Sequence, residues 1–393
     1  MSTSHRPLRI ALIAGESSGD VLGAALLAEL RRRHPDAEFA GIGGPHLASA
    51  GMQCWADAEE LAVMGLSEVL RHLPRLLRLR RQIRERILAW QPDVMIGVDA
   101  PDFNLGVERW LKQRGVRTIH FISPSVWAWR EQRAEKIGES ADRVLCLFPM
   151  EPAIYARHGV DAVFVGHPLA DQMPLEPQVT AARSALNLPP DATVLGMLPG
   201  SRGSELRMLA PTFLSAAALL LRENPQLLIA VPLATPAIEH KWEALLAAHP
   251  DRELLQPALH VYTRHAQEVL TAADATVLAS GTAALEAMMA KRPMVVAHRI
   301  SPVTYAIVKM FGMLKTDVYS LPNVLAGRQL IPELMQDRCT PELIAQELRR
   351  ALASTSDFER NVLPTLTALH QQLRRDAASR AAESVLELTG LTA

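Results

Sequence analysis

Short apolar runs alternate with longer segments of helical period along most of this chain, in two successive sets. The first set of predicted strands is 8–14, 38–42, 93–98, 118–122, 143–148 and 161–165. The second set is 193–198, 227–231, 259–262, 274–278 and 293–297. Strands that are apolar throughout indicate parallel sheets covered by helices on both faces. The pattern therefore predicts an α/β protein with two doubly wound, Rossmann-like domains.

A polar stretch punctuated by prolines separates the two sets, between Gly166 and Pro190. Such composition is typical of a domain boundary. The 393 residues are enough for two domains of ordinary size. We predict an N-terminal domain at 1–168, a C-terminal domain at 190–350 and a helical tail at 351–393, whose last helix returns to the N-terminal domain.

Composition excludes several classes of protein. The formal net charge of −1 argues against a nucleic-acid partner. Cys54, Cys146 and Cys339 are too far apart for a disulfide framework, which indicates a reducing compartment. The histidines lack metal-ligand spacing, so we predict no metal site. The run at 8–14 is too short and too soon followed by acids for a signal peptide, and no apolar run approaches the roughly 20 residues that span a bilayer.

Two turns after strands of the first set carry acids, where ligands gather in parallel sheets. Glu16 and Asp20 follow the first strand, and Asp99 and Asp102 follow the third. Asp20 is expected to complement a helix N-terminus. Either Asp99 or Asp102 is expected to cap the helix that starts near Asn104. Asp99 directly abuts its strand and is the predicted general base, with Glu16 as a second candidate.

The segment 279–286 of the second set reads ASGTAALE, a strand end, a turn of small residues and a helix start. Gly281 lets a ligand approach the backbone closely, and Thr282 is the predicted helix cap. Free N–H groups and the helix dipole suit a phosphate or diphosphate. Glu286, about one turn later, could accept both hydroxyls of a ribose. An ordinary buried turn between strand and helix explains the motif equally well.

A second turn of this kind, 198–205, reads LPGSRGSE. Two glycines bracket Ser201 and Arg202 before a helix, so main-chain donors, a hydroxyl and a guanidinium converge, as a diphosphate requires. A capped helix without a ligand is the alternative. A late loop at 321–328 (LPNVLAGR) could complete a site or simply turn the chain.

The segment 64–90 interleaves two leucine and isoleucine stripes with arginines, and Pro74 is expected to kink or divide it. One stripe can pack on the sheet while the other stays partly exposed. Basic, apolar helices are attracted to anionic lipid, although a solvated face of a surface helix is the alternative. The predicted membrane contacts are Leu66, Leu70, Leu73, Leu76, Arg71, Arg75 and Arg78.

Six motifs, in the same order over nearly the whole chain, resemble the lipid-A-disaccharide synthase family. They are 14–20 (AGESSGD), 98–104 (VDAPDFN), 125–129 (SVWAW), 198–205 (LPGSRGSE), 280–286 (SGTAALE) and 321–323 (LPN). The resemblance implies the GT-B fold, in which two doubly wound domains face a cleft. The family joins UDP-2,3-diacylglucosamine to 2,3-diacylglucosamine 1-phosphate (lipid X), inverting the anomeric carbon. UDP and a β-1,6-linked disaccharide form without a metal or other cofactor.

The resemblance also implies roles for residues of the first half. Asp99 would deprotonate the acceptor 6-hydroxyl as it attacks, and Glu16 would position a sugar or share that role. Because both substrates carry acyl chains, the stretch 66–87 would dock on the inner face of the cytoplasmic membrane, which makes the protein cytoplasmic and peripheral. The family's C-terminal segment can exchange between partners, so a homodimer is plausible.

In the second half, the resemblance implies that Arg202 stabilises the departing diphosphate, together with the turns at Ser201 and at Gly281 and Thr282. Glu286 would hold the ribose, and Asn323 would contact donor phosphate or sugar. Two alternatives are left open. One is another GT-B enzyme, such as a UDP-sugar 2-epimerase or a lipid-linked glycosyltransferase. The other is a non-catalytic, nucleotide-binding membrane adaptor.

Overall fold

The structure is a computed structural model that describes residues 6–61, 66–124, 126, 132–300, 318–353 and 355–391, with the side chains of 66–72 and 355 left out. The chain divides into two compact units. Unit 1 comprises Met1–Asp171 and Leu373–Ala393, and unit 2 comprises Gln172–Gln372.

The described residues of unit 1 form a seven-stranded, all-parallel sheet in the order β3-β2-β1-β4-β5-β6-β7. The strands are β1 Arg9–Ala14, β2 Glu38–Gly43, β3 Gln53–Asp57, β4 Val94–Val98, β5 Arg117–Phe121, β6 Arg143–Cys146 and β7 Ala162–Phe164. The sequence predicted all of them except β3. In this edge strand (QCWAD) only three residues are apolar and three of the five positions are exposed, so it lacks the longer apolar run that marks most of the others.

Helices cover both faces of this sheet. They are α1 Ser17–Arg33, α2 Pro45–Ser49, α3 Leu66–Trp90, α4 Pro101–Lys112, α5 Arg133–Ser140, α6 Glu151–Arg157 and α7 Pro168–Gln172. Ile10 and Leu12 of β1 pack with the leucines of α1 on one face. Ala11 and Ile13 pack with α3 and α4 on the other. The sheet is therefore doubly wound, as predicted.

The described residues of unit 2 form a six-stranded, all-parallel sheet in the order β10-β9-β8-β11-β12-β13. The strands are β8 Val194–Leu198, β9 Leu228–Leu233, β10 Leu259–Thr263, β11 Ala275–Ala279, β12 Met294–His298 and β13 Glu333–Met335. The helices are α8 Val179–Ala185, α9 Gly203–Glu223, α10 Pro236–Ala247, α11 Arg252–Leu255, α12 Ala266–Ala272, α13 Thr282–Ala290, α14 Leu321–Ala326, α15 Pro341–Ala353, α16 Thr355–Asn361 and α17 Leu363–Leu373.

Helix α9 is the one helix in the described part of the chain that is long and apolar enough to match a membrane span. Phe213, Leu214 and Leu221 of this helix are buried in the core of unit 2. Its apolar character is that of a core helix, and the expectation that no apolar run approaches about 20 residues overlooked it.

The last helix, α18 (Ala377–Thr389), belongs to unit 1 and packs on α1. Arg33 donates to the Ser379 hydroxyl at 2.8 Å and to Glu383 at 3.0 Å. The Asp171 carboxylate accepts from the main-chain N–H of Ala377 at 2.7 Å and from those of the two preceding residues. The predicted return of the C-terminal helix is confirmed.

The proline-rich stretch that the sequence marks as a boundary is partly structured. Its helix α8 packs on α12 of unit 2. Arg183 of α8 donates twice to the Asp274 carboxylate, at 2.9 Å each. Unit 2 therefore begins at Gln172.

Candidate functional site

A cavity of about 390 Å³ opens in unit 2 at the carboxyl ends of its central strands. Strand β8 is followed along the chain by β9 on one side, whereas β11 lies on its other side. This is the topological switch point at which doubly wound sheets bind ligands. The residues that line it include Gly200, Ser201, Arg202, Glu205, Arg264, Gly281, Thr282 and Glu286.

The turn after β8 presents a guanidinium to the cavity. Gly200 has φ +117°, a conformation that favours glycine, and α9 then begins with Arg202 as its N-cap. The N–H groups of Ser201 and Arg202 donate to Glu205 Oε2 at 3.2 and 3.3 Å. The Arg202 guanidinium lies 3.6 Å from the same carboxylate and is largely exposed.

The turn after β11 places a helix N-terminus at the cavity. Gly281, with φ +152°, is the N-cap of α13, so Thr282 is the first helical residue and the prediction that it caps the helix is wrong. A Cβ on Gly281 would meet nothing within 4 Å, which leaves the turn open to a ligand. The N–H groups of a first helical turn have no partner within the helix and suit an anion.

Glu286 lies one turn into α13 and lines the same cavity. Burial raises the pKa of its carboxyl group above the ordinary value. The structure thus brings together five of the six predicted nucleotide-binding residues.

Asn323 lies elsewhere, fully buried in α14. Its amide nitrogen donates to the carbonyl of Ile331 at 3.0 Å and to Glu333 at 2.6 Å. Its amide oxygen accepts from the N–H groups of Leu330 at 2.7 Å and Ile331 at 2.9 Å. Protein groups take all four hydrogen-bonding positions of this amide, so Asn323 closes a loop here and the predicted contact with donor phosphate or sugar does not fit this geometry.

Arg264 is a cavity residue that the sequence reasoning missed. It is exposed and follows β10, and both Arg264 and His265 have positive φ, at +70° and +53°. The turn contains no glycine, so it lacks the feature that marks the other two turns. Its position just after a predicted strand was the signal available.

In unit 1, the turns with Glu16 and Asp99 follow β1 and β4, which are adjacent strands at that sheet's own switch point. Ala14 and Val98, the last residues of these strands, pair in register. The turns touch, because a Cβ on Gly15 would lie 2.6 Å from that of Ala100. The two predicted catalytic acids therefore follow neighbouring positions on one sheet edge.

A side chain of the following helix, α4, hydrogen-bonds to the turn that contains Asp99. Asp99 and Ala100 have φ +53° and +44°, and Asn104 donates from its buried side-chain amide to the Asp99 carbonyl at 2.8 Å. Ala100 is the N-cap and α4 begins at Pro101, so the prediction that Asp99 or Asp102 caps this helix is wrong.

Asp20 is buried and complements a helix N-terminus, but that of α2 and not of its own helix. It accepts from the N–H groups of Gly44 at 2.7 Å, His46 at 2.9 Å and Leu47 at 3.2 Å. Asp20 was thus correctly predicted to complement a helix N-terminus, but the helix is α2, the next one along the chain.

Helix α3 is continuous through Pro74, so the segment is not divided there. Ile83 and Ile87 pack on the sheet, whereas Leu73 and Leu77 are 41% and 52% exposed. Leu76 is half-buried, and Arg75 and Arg78 are exposed. The side chains of Leu66, Leu70 and Arg71, like Ser125, Trp127 and Trp129 of the tryptophan motif, lie outside the described residues.

No group of three or more His, Cys, Asp and Glu side chains within the described ranges could hold a metal ion. In unit 2 the described residues offer main-chain N–H groups and a guanidinium that can bind an anion, and a carboxylate that can accept hydrogen bonds from hydroxyl groups. In unit 1 they offer a carboxylate at the switch point of the sheet.

Comparison with known proteins agrees with this geometry. The model of the lipid-A-disaccharide synthetase family matches residues 10–387. The lipid-A-disaccharide synthase of Xanthomonas campestris pv. campestris (strain 8004) is 58% identical over 98% of this chain and 86% of its own length. That of Xylella fastidiosa (strain M12) is 54% identical over 97% of this chain and 98% of its own.

The solved structure of UDP-GlcNAc 2-epimerase from Neisseria meningitidis bound to UDP-GlcNAc matches 97% of this chain and 99% of its own, with a TM-score of 0.62 and 10% identity. A likeness at this identity concerns the fold, and it confirms the predicted GT-B class. The family match and relatives more than half identical over nearly the whole chain show that this chain belongs to the lipid-A-disaccharide synthetase family, the glycosyltransferases of lipid A biosynthesis.

Proposed function

We propose that this chain condenses UDP-2,3-diacylglucosamine with 2,3-diacylglucosamine 1-phosphate, forming the β-1,6-linked disaccharide 1-phosphate and UDP. The observation that carries the proposal is the cavity of unit 2. There a guanidinium, a helix N-terminus and a half-buried carboxylate line one space, the set of groups that a nucleoside diphosphate needs.

In this proposal the UDP diphosphate binds the N-terminal turn of α13, at Gly281 and Thr282, and the turn at Ser201 and Arg202. Negative charge develops on the diphosphate as the bond to the sugar C1 breaks, and preorganised donors stabilise that charge. Glu286 accepts the ribose hydroxyls. Because burial already deprives its carboxyl group of water, hydrogen bonds from a ribose replace lost solvation.

Asp99 is the proposed base. As the acceptor 6-hydroxyl oxygen attacks C1, its proton passes to the Asp99 carboxylate and the C1–O electron pair leaves with UDP. Glu16 follows the adjacent strand and is proposed to orient a sugar hydroxyl. The Asn104 amide, which holds the Asp99 carbonyl, supports this role because it fixes the turn.

Asp99→Asn tests the base assignment. The amide cannot take up the proton, so turnover should fall by about 10²- to 10⁴-fold while UDP still binds. Asp102→Asn is the matched control, since Asp102 is exposed on the first turn of α4. Near-normal turnover by Asp99→Asn would refute the assignment.

The reaction itself is tested with purified protein, both diacylated substrates and detection of UDP and of the disaccharide mass. A lipid-free UDP-sugar serves as the control, because a 2-epimerase would act on it. UDP binding without product from the two lipids would favour the adaptor alternative and contradict this proposal.

We also propose that α3 docks on the cytoplasmic membrane surface, which makes the protein cytoplasmic and peripheral. The exposed leucines beside exposed arginines support this. Leu73→Ser with Leu77→Ser should weaken sedimentation with anionic liposomes. Leu254→Ser with Val261→Ser is the control, since both are exposed apolar residues of unit 2. Equal sedimentation of the two variants would contradict docking through α3.

A homodimer formed by exchange of the C-terminal segment stays a prediction. Here α18 packs on α1 of its own chain, so any exchange would have to replace these contacts with equivalent ones.

A further inference from the structure

Glu205 takes up the same groups that the donor diphosphate would need. Its Oε2 accepts from the main-chain N–H groups of Ser201 at 3.2 Å and Arg202 at 3.3 Å. Its Oε1 lies 3.6 Å from the Arg202 guanidinium. The Glu205 carboxylate also lines the cavity. The Glu205 carboxylate therefore occupies the groups to which the diphosphate of the donor would bind.

Helix capping explains only part of this arrangement. A glutamate at the third helical position commonly accepts from the N–H of the N-cap residue, here Arg202. The contact with Ser201, one residue before the cap, and the pairing with the guanidinium go beyond that motif. Gly200 makes room for them, because a Cβ there would lie 2.6 Å from Glu205 Cβ and 2.8 Å from its Oε2.

A diphosphate and the Glu205 carboxylate cannot share these groups. Both are anions, and bringing like charges into contact opposes binding. The Glu205 side chain is 30% exposed, so its carboxylate can rotate to water without unfolding α9. Its hydrogen bonds are longer than is typical of charge-assisted ones, which eases the exchange.

We propose that Glu205 is a stand-in anion for the donor diphosphate. It holds Arg202 and the two N–H groups before the donor binds, gives them up to the donor diphosphate, and returns to them as UDP leaves. This inference rests on the proposed function, since it concerns the same seat. Its consequence is that Glu205 weakens UDP binding and promotes UDP release.

The test is calorimetric UDP binding to the full chain and to Glu205→Gln. The glutamine oxygen can still accept from the N–H groups, so the helix stays capped while the competing charge is lost. UDP should bind Glu205→Gln about fivefold more tightly, the effect of one exposed ion pair. The matched control is Glu243→Gln on α10, an exposed carboxylate outside the cavity, which should leave affinity within about twofold.

A second background separates competition for Arg202 from simple capping of the helix, and a folding check accompanies it. In an Arg202→Ala background, the gain from Glu205→Gln should shrink, because the contested guanidinium is gone. Thermal unfolding checks that each variant is folded, and Glu205→Ala replaces Glu205→Gln if the latter is not.

Equal or weaker UDP binding by the variant, with normal binding by the unaltered chain, would overturn this inference alone. An undiminished gain in the Arg202→Ala background would do the same. Failure of the unaltered chain to bind UDP would refute the proposed function, and the inference with it.

Discussion

Glu151, at the start of α6, is a buried carboxyl group that should make the stability of unit 1 depend on pH. It is 1% exposed. Its Oε2 accepts from the Phe148 N–H at 3.1 Å, which favours the ionised form. Burial outweighs this effect and raises the pKa of Glu151 from 4.5 to about 8. The carboxyl group is therefore protonated in the folded protein at neutral pH and ionised in the unfolded chain.

The sign and size of the effect follow from this difference. Between pH 4.5 and about 8 the folded state holds a proton that the unfolded state has lost. Unfolding then releases a proton, so the free energy of unfolding falls as pH rises through this window and levels off above it. A pKa raised from 4.5 to about 8 corresponds to a loss of about 5 kcal/mol across the window.

Glu151→Gln removes this dependence, because the amide resembles the protonated acid and still accepts from the Phe148 N–H. The variant and the unaltered chain should be similarly stable at pH 5. At pH 9 the variant should be more stable by about 5 kcal/mol, or by less where the fold relaxes. Five of the six tryptophans belong to unit 1, so tryptophan fluorescence during urea unfolding reports on it, with Trp242→Phe to silence the sixth.

The matched control is Glu59→Gln, which neutralises an exposed carboxylate of the same unit. Its stability should follow the unaltered chain at every pH. Parallel curves for Glu151→Gln and the unaltered chain from pH 5 to 9 would refute the reasoning. Cys146 and Tyr155 also contribute to the surroundings of Glu151, but burial raises the pKa of both, so they stay neutral within this range.

Two structural predictions concern unit 1. Asp171→Ala removes the acceptor for the three N–H groups at the start of α18 and should lower the stability of this helix start by about 1 kcal/mol. We expect faster hydrogen exchange confined to the first turn of α18. Unchanged exchange would contradict this prediction. Gly97→Ala would place a Cβ 2.0 Å from Glu108 Oε1, in a fully buried pair with His120, and should destabilise unit 1 by about 1–3 kcal/mol in urea unfolding. Unchanged stability of Gly97→Ala would show that the pair can move aside.

The strands could be predicted because most of them are buried on both faces and read as continuous apolar runs. The two missed strands lack that property. β3 is an exposed edge strand, and β13 has only three residues. Both lie at an edge of their sheet and pair with one neighbour, β2 and β12 respectively, so neither needs the long apolar run of a central strand.

The site could be predicted to the level of turns and not of individual hydrogen bonds. A glycine-containing turn after a strand locates a ligand edge, and this identified Gly281 and Arg202. Whether a polar side chain faces a ligand or the protein depends on the detailed backbone path of the surrounding turn. Asn323 and Glu205 illustrate this, since each bonds to groups of its own fold that residue type and spacing do not reveal.

The arginines of α3 also differ in ways that the sequence pattern does not show. The pattern suggests one role for all of them, contact with a membrane, whereas in the structure some stack on aromatic side chains and others are exposed. Three of them stack on aromatic side chains of unit 1: Arg80 over Phe103 at 5.1 Å, Arg84 over Trp110 at 4.8 Å and Arg86 over Trp55 at 4.6 Å. Such contacts bind the helix to its own unit. They leave Arg75, Arg78 and Arg81 as the exposed, described cations near Leu73 and Leu77.

These three arginines limit how strongly the described part of α3 can bind a membrane. An arginine near an anionic surface contributes about 1 kcal/mol, so three contribute about 3 kcal/mol at low salt. Arg81 also pairs with Glu85 at 3.1 Å, which reduces its share. Docking through these residues should therefore be weak, reversible and lost as salt screens the charges. Sedimentation with anionic liposomes that persists undiminished at high salt would require more apolar surface than Leu73 and Leu77 provide.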